Sequence, residues 1–237
     1  TEHGATLSDY RGSGYDRGHM APNADMPNKA AQFDSFSLAN MVPQAPKNNQ
    51  QVWRELEEAT RALVTKQKLD VFVVTGPVFQ GKKLKTIGQG VIVPSAVYKA
   101  VYMPKTGAIG AYYAPNDNSQ QVRIVSVCYL EEQLGVNLFP QLTEEQKRNT
   151  YKLPLTATAV KANSAIQYSH WDAESQCAEE VSSEQLKALQ KNFKSGSTQS
   201  SSGSTVKTGT GIDAADQDAI VKQLVDALLQ YILQLLR

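Results

Sequence analysis

From Asn48 to Lys68 the chain reads NNQQVWRELEEATRALVTKQK, and Val52, Leu56, Ala59 and Leu63 recur on one face at three- and four-residue intervals. That period predicts an amphipathic helix with a single buried stripe. Pro43 and Pro46 hold off any helix until about Asn48, because proline restrains both its own backbone and that of the residue before it. Ahead of the helix, residues 15–43 contain two short extended candidates, YDRGHM and FSLANMV, joined by a Pro/Asn/Asp-rich stretch that reads as a long ordered loop. The local order is strand, loop, strand, helix.

After the helix the pattern changes to apolar runs rich in Val, Ile and Tyr: VFVVTGPVF, VIVPSAVYKAVYM, GAIGAYYAP and VRIVSVCYL, separated by Gly, Pro and Asn. These predict a central antiparallel sheet. Short helices follow around Leu130–Leu134 and Glu144–Asn149. The segment SSEQLKALQKNF predicts another, with Ser182 or Ser183 as its N-cap. Strands and helices in this arrangement make an α+β body over residues 1–194.

At Ser195 the composition shifts to SGSTQSSSGSTVKTGTG, so residues 195–211 read as a flexible linker too polar to pack. Residues 212–237 then form a strongly helical pattern. Val221, Leu224, Leu228, Tyr231 and Leu235 make one seam, and Val225, Leu229, Ile232 and Leu236 make a second beside it. So wide an apolar stripe needs a partner. The polar face carries Asp213, Asp216, Asp218 and Asp226 against Lys222 and Arg237, which disfavours an anionic bilayer and favours self-association or a protein partner.

Composition sets limits on these elements. With 237 residues and 41% hydrophobic content, the chain can bury one sizeable core. Its 24 basic and 23 acidic residues leave a net charge of +1, so no global field marks a polyanion binder. Any such binding must come from local groups: Lys82, Lys83 and Lys85, or the helix-borne Arg54 and Arg61, which read equally well as solvated charges. Cys128 and Cys177 lack metal-type spacing, leaving a disulfide and two buried thiols as alternatives. No apolar run is long enough to span a membrane. The first residues, TEHGATLSDY, show no export signal, which reads as a signal already removed or never present.

The candidate chemistry lies in GYDRGHMAPNADM, residues 14–26, where an acid, an arginine, a glycine and a histidine are consecutive in a chain with only 3 histidines. A histidine can exchange a proton near neutral pH, and an arginine beside it can fork onto a phosphate. A base next to an anion clamp suggests phosphodiester chemistry. In order along the chain, DRGHMAP (16–22), SLANMVPQ (37–44) and NNQQVWRELE (48–57) resemble the DNA/RNA non-specific endonucleases of the ββα-metal superfamily, which include the Serratia-type nucleases and endonuclease G. The resemblance continues more loosely to about Trp171.

The resemblance implies a ββα-metal core and a general base at His19. It makes Asn49 the one direct protein ligand of a divalent metal, Mg²⁺ with Mn²⁺ as the alternative, and Arg17 a phosphate or transition-state clamp. Glu57, about 80° further round the helix than Asn49, would orient water at the metal. Asp16, Asn40 and Arg61 would support the site, and Arg54, Lys82 and Lys83 would contact substrate. Read on its own, Asn49 is also a helix cap and Asn40 a turn residue. His3 and His170 fit no motif, and Trp53 and Trp171 read as core.

The implied activity is Mg²⁺-dependent, sugar-non-specific cleavage of DNA and RNA to 5′-phosphate ends. The expected compartment is extracellular or periplasmic, with an organelle as the second option. Only fifteen residues precede Asp16, fewer than the resemblance implies. The corresponding expectations are a separate N-terminal fragment, a truncated form or a natural short form. A catalytically impaired nucleic-acid-binding or assembly module is the alternative function.

Overall fold

The computed structural model describes residues 7–20, the backbone of 33–37, and residues 41–81, 83–135, 137–139 and 142–178. Asn40, Lys82, the SSEQLKALQKNF segment, the linker and residues 212–237 lie outside the described residues.

A five-stranded sheet organises the chain, in the order β2 (Phe33–Ser37), β4 (Val71–Val78), β7 (Ala96–Met103), β8 (Ala108–Pro115), β9 (Arg123–Val125). Strands β4, β7, β8 and β9 pair antiparallel as expected. Strand β2 departs from the expectation by running parallel to β4, with Phe33 opposite Val71. A parallel pair needs a crossover of a dozen or more residues. The segment between β2 and β4 supplies it, and contains β3 (Met41–Gln44) and the helix α2 (Arg54–Gln67). FSLANMV therefore divides between two sheets, because β3 pairs instead with β1 (Asp16–His19).

Both faces of the central sheet are covered, which explains its nearly continuous apolar runs. Alternate residues of β7 go to opposite sides. Val97, Val101 and Met103 join Trp53, Leu56 and Leu63 under α2, while Tyr98 and Ala100 join Leu130 and Leu138 under α3 (Val127–Leu134). Helix α3 begins earlier than expected because Ser126 ends β9 and caps it, its hydroxyl accepting the Tyr129 N–H at 2.9 Å. Cys128 on α3 is disulfide-bonded to Cys177, settling the cysteine alternatives.

The smaller elements border this layered core. They are α1 (Leu7–Tyr10), the ribbon of β5 (Thr86–Ile87) and β6 (Val91–Ile92), α4 (Glu144–Arg148), and the pair of β10 (Asn149–Tyr151) and β11 (Tyr168–Trp171). VIVPSAVYKAVYM is split between β6 and β7, with Pro94 in the break. Trp53 is core at 1% exposure, but Trp171 is 45% exposed, because among the described residues β11 pairs with β10 alone, and its ring packs on the Arg148 guanidinium at 5.6 Å. No helix among the described residues is long and apolar enough to cross a membrane.

Candidate active site

Strands β1 and β3 form an antiparallel pair, with Asp16 opposite Gln44, Arg17 opposite Pro43, Gly18 opposite Val42 and His19 opposite Met41. This two-stranded pair stands apart from the central sheet and leads straight into the long helix. Gly18 is required by close approach. A Cβ there would lie 2.6 Å from Gln44 Cβ and 2.8 Å from its Cδ, so no side chain fits between β1 and Gln44. Gln44 is fully buried and donates its side-chain amide to Asn48 Oδ1.

Helical backbone begins at Pro46, earlier than the prolines suggest, because proline is tolerated in the first turn of a helix; Asn48–Trp53 then form a π-helical turn before the α-helix proper. Wider turns of this kind occur frequently at functional sites. Lys47, the residue before the π turn, makes no side-chain cap bond, and Asn49 lies inside that turn, so Asn49 does not serve as the cap. Its backbone N–H donates to Ala45 O at 2.9 Å, and its side-chain amide donates to Asp16 Oδ2 at 2.9 Å. Gln50 donates to the same carboxylate oxygen at 2.9 Å.

A carboxylate only accepts hydrogen bonds, so it fixes which end of the Asn49 amide faces it. The NH₂ group turns to Asp16 and the amide oxygen turns away. That oxygen is a hard donor held in one orientation, and no cluster of three or more His, Cys, Asp or Glu side chains is present among the described residues. One amide oxygen is a donor set that fits a cation retaining most of its water, as Mg²⁺ does.

His19 is half-buried on β1, and its carbonyl accepts the Trp53 indole N–H at 3.1 Å. The backbone of the candidate base is thereby tied to the same π turn that carries Asn49. Beneath it, the buried Lys99 ammonium sits 4.8 Å from the Trp53 ring centroid. Arg17 is exposed beside His19. Burial raises the pKa of the Tyr10 phenol, with Asp9 adding to the rise and the Arg17 charge opposing it.

The family model for the DNA/RNA non-specific endonucleases matches residues 1–145. The chain belongs to this family.

Relatives of this endonuclease family member include the mitochondrial nuclease EXOG of Danio rerio, 38% identical over 159 residues, which cover 58% of this chain and 46% of the relative. The mitochondrial endonuclease G of Homo sapiens is 39% identical over 128 residues, 48% of this chain and 43% of the relative. A nuclease of Nostoc sp. is 36% identical over 155 residues, 58% of this chain and 55% of the relative. The chain spans about half the length of the curated relatives it matches. A solved complex of EndoG with EndoGI aligns over 61% of this chain and 66% of its own at 24% identity, with a TM-score of 0.45.

In this family member Asp16 and Asn49 are in direct contact, and Trp53 joins the backbone of His19 to their helix. Glu57 and Arg61 are half-buried on α2, each with a partner. The π turn between Asn49 and Glu57 changes the angle that a regular α-helix would set between them. Arg54 is 73% exposed and pairs with Glu58 at 3.4 Å, so its charge is shared within its own helix. Lys83 is exposed between β4 and β5, and His170 is exposed on β11.

Gln44, Asn48, Gln50, Asn116 and Asn118 all bond at the root of the helix and were not singled out by sequence. The one available signal was the polar NNQQ run where an amphipathic helix begins. Asn116 and Asn118 sit in PNDN, which has the composition of an ordinary turn.

Proposed function

We propose that the chain is a Mg²⁺-dependent, sugar-non-specific endonuclease that hydrolyses DNA and RNA to 5′-phosphate ends, with Mn²⁺ as an alternative ion. The observation that carries the reading is the Asp16–Asn49 contact, which holds one amide oxygen ready on the helix that also fastens the backbone of His19. Family membership supports the substrate class.

In this reading the His19 imidazole takes the proton of the attacking water, and Arg17 forks onto the phosphate oxygens. When bound, the metal neutralises charge at phosphorus and stabilises the leaving 3′ oxygen. Asn49 holds it, Asp16 and Gln50 keep the amide of Asn49 turned, and Glu57 hydrogen-bonds water at the site, with Arg61 supporting. Lys83 contributes a peripheral phosphate contact and Arg54 a smaller one, since Glu58 offsets its charge. Asn40 and Lys82 keep their supporting and substrate-binding assignments, and residues 212–237 keep theirs in self-association or partner binding.

The Cys128–Cys177 disulfide supports an oxidising compartment, either extracellular or periplasmic, and the mitochondrial relatives support an organelle. Plasmid nicking and RNA cleavage with Mg²⁺, with Mn²⁺ and with EDTA test the reading. The expected result is cleavage of both nucleic acids, scattered sites, ligatable 5′-phosphate ends and complete loss in EDTA. Retardation of nucleic acid without cleavage under either ion would instead favour a binding module, and a sharp cleavage consensus would point to another enzyme class.

A further inference from the structure

Strand β8 ends at Pro115, and Asn116 after it turns inward beneath the segment that joins β3 to the π turn. The side chain is 9% exposed and bridges three stretches of chain. Nδ2 donates to Pro43 O at 2.9 Å and to Pro94 O at 3.0 Å, and Oδ1 accepts the Ala45 N–H at 2.8 Å. The turn itself is made by its neighbour, since Asp117 Oδ1 accepts the Ser119 N–H at 2.9 Å. Asn116 is therefore free of turn duties, and its hydrogen-bonding capacity goes to other segments. A planar amide carries two donors and an acceptor in one group, which suits a junction of three stretches of chain, each containing a proline that has no N–H to donate.

The junction leads directly to the candidate metal ligand. Ala45, held at its N–H by Asn116, accepts the Asn49 N–H at its own carbonyl at 2.9 Å. Two further bonds run parallel to this link. Asn48 Nδ2 donates to Pro115 O at 3.2 Å, and the Lys47 N–H donates to Asn118 Oδ1 at 3.1 Å. The end of β8 thus fastens four positions at the root of the helix, Ala45, Lys47, Asn48 and, through Ala45, Asn49.

We infer that Asn116 is a positioning residue for Asn49: it fixes where the helix starts relative to the central sheet, and hence where the metal-ligating amide oxygen points. The inference rests on the reading of Asn49 as the metal ligand. Asn116 touches neither ion nor substrate; it acts through Ala45.

The test is Mn²⁺ binding to the full chain, followed by electron paramagnetic resonance of the free ion, in the wild type, Asn116→Ala, the milder Asn116→Ser and Asn49→Ala, with cooperative unfolding measured in parallel. Both Asn116 variants should unfold cooperatively and bind Mn²⁺ about tenfold or more weakly, the scale typical of groups that orient a ligand. Wild-type affinity in a folded Asn116 variant, alongside loss of binding in Asn49→Ala, overturns the inference alone. Wild-type affinity in Asn49→Ala overturns the metal reading and this inference with it. Loss of the cooperative transition in both Asn116 variants also overturns it, because Asn116 would then determine the fold and not the site.

Discussion

The amide of Asn49 donates to the carboxylate of Asp16 at 2.9 Å across 33 residues of sequence. Because Asp16 can only accept, it dictates the orientation of the Asn49 amide. Asp16→Asn keeps the shape but allows the amide to face either way, and should weaken the apparent affinity for Mg²⁺ by about 10–100-fold. The half-saturating Mg²⁺ concentration for plasmid cleavage measures this. An unchanged value would remove Asp16 from the positioning of the ligand.

His19→Ala should lower cleavage by about a hundredfold or more, the scale for loss of a general base. The bond to Trp53 uses the backbone carbonyl of His19 and survives the substitution. The denaturation midpoint should therefore correspond to a change of at most about 1 kcal/mol. Near wild-type turnover in a folded variant would assign the base elsewhere.

Gly18→Ala places a methyl group 2.6 Å from Gln44 Cβ, which can move away only if β1 and β3 shift apart. The expected cost is about 1–3 kcal/mol, as for other overpacked sites, with cleavage reduced because Gln44 bonds to Asn48. Urea unfolding and Mg²⁺ titration read the two effects. Wild-type stability would show that Gln44 yields without resistance.

The Cys128–Cys177 bond closes a sequence separation of 49 residues. On loop entropy alone, opening it should cost about 4 kcal/mol. Thermal unfolding with and without dithiothreitol, and of the double serine variant, checks this. A transition unmoved by reduction would mean that packing of α3 alone carries the stability.

The Asp172 carboxyl is shifted from 3.8 to about 2. Partial burial raises it, but hydrogen bonds from Ser126, Ser175 and Glu174 outweigh that effect. Because the folded pKa lies below the unfolded one, the stabilisation is present above about pH 4 and is lost as pH falls from there through 2. Asp172→Ala should flatten the stability curve in that window while lowering the plateau above it, as read by urea unfolding at stepped pH. Parallel curves for the two proteins would show that other carboxyls govern acid unfolding.

Much of the candidate site was legible because its chemistry sits in short runs. DRGH sets Asp16, Arg17 and His19 on one strand, and the interval at which Val52, Leu56 and Leu63 recur marks the helix that carries Asn49. The π turn was hidden, since its residues also suit an α-helix. Trp171 misled because its apolar character says nothing of whether a neighbouring layer exists to cover it; among the described residues β11 pairs with β10 alone.

By itself, the sequence determined which apolar runs form strands, the stripe of α2, and the identity of the base and ligand candidates. These follow from the strand preference of β-branched and aromatic residues and from the 3.6-residue period of the helix, which are written in neighbouring positions. Only the tertiary structure decided that β2 runs parallel to β4, that Cys128 meets Cys177, that Asp16 orients Asn49, and that Asn116 anchors the start of the helix. Each of these joins segments 33 to 73 residues apart. Which distant groups meet depends on strand register and on how the layers stack around a common core, and neither is set by any short run of residues.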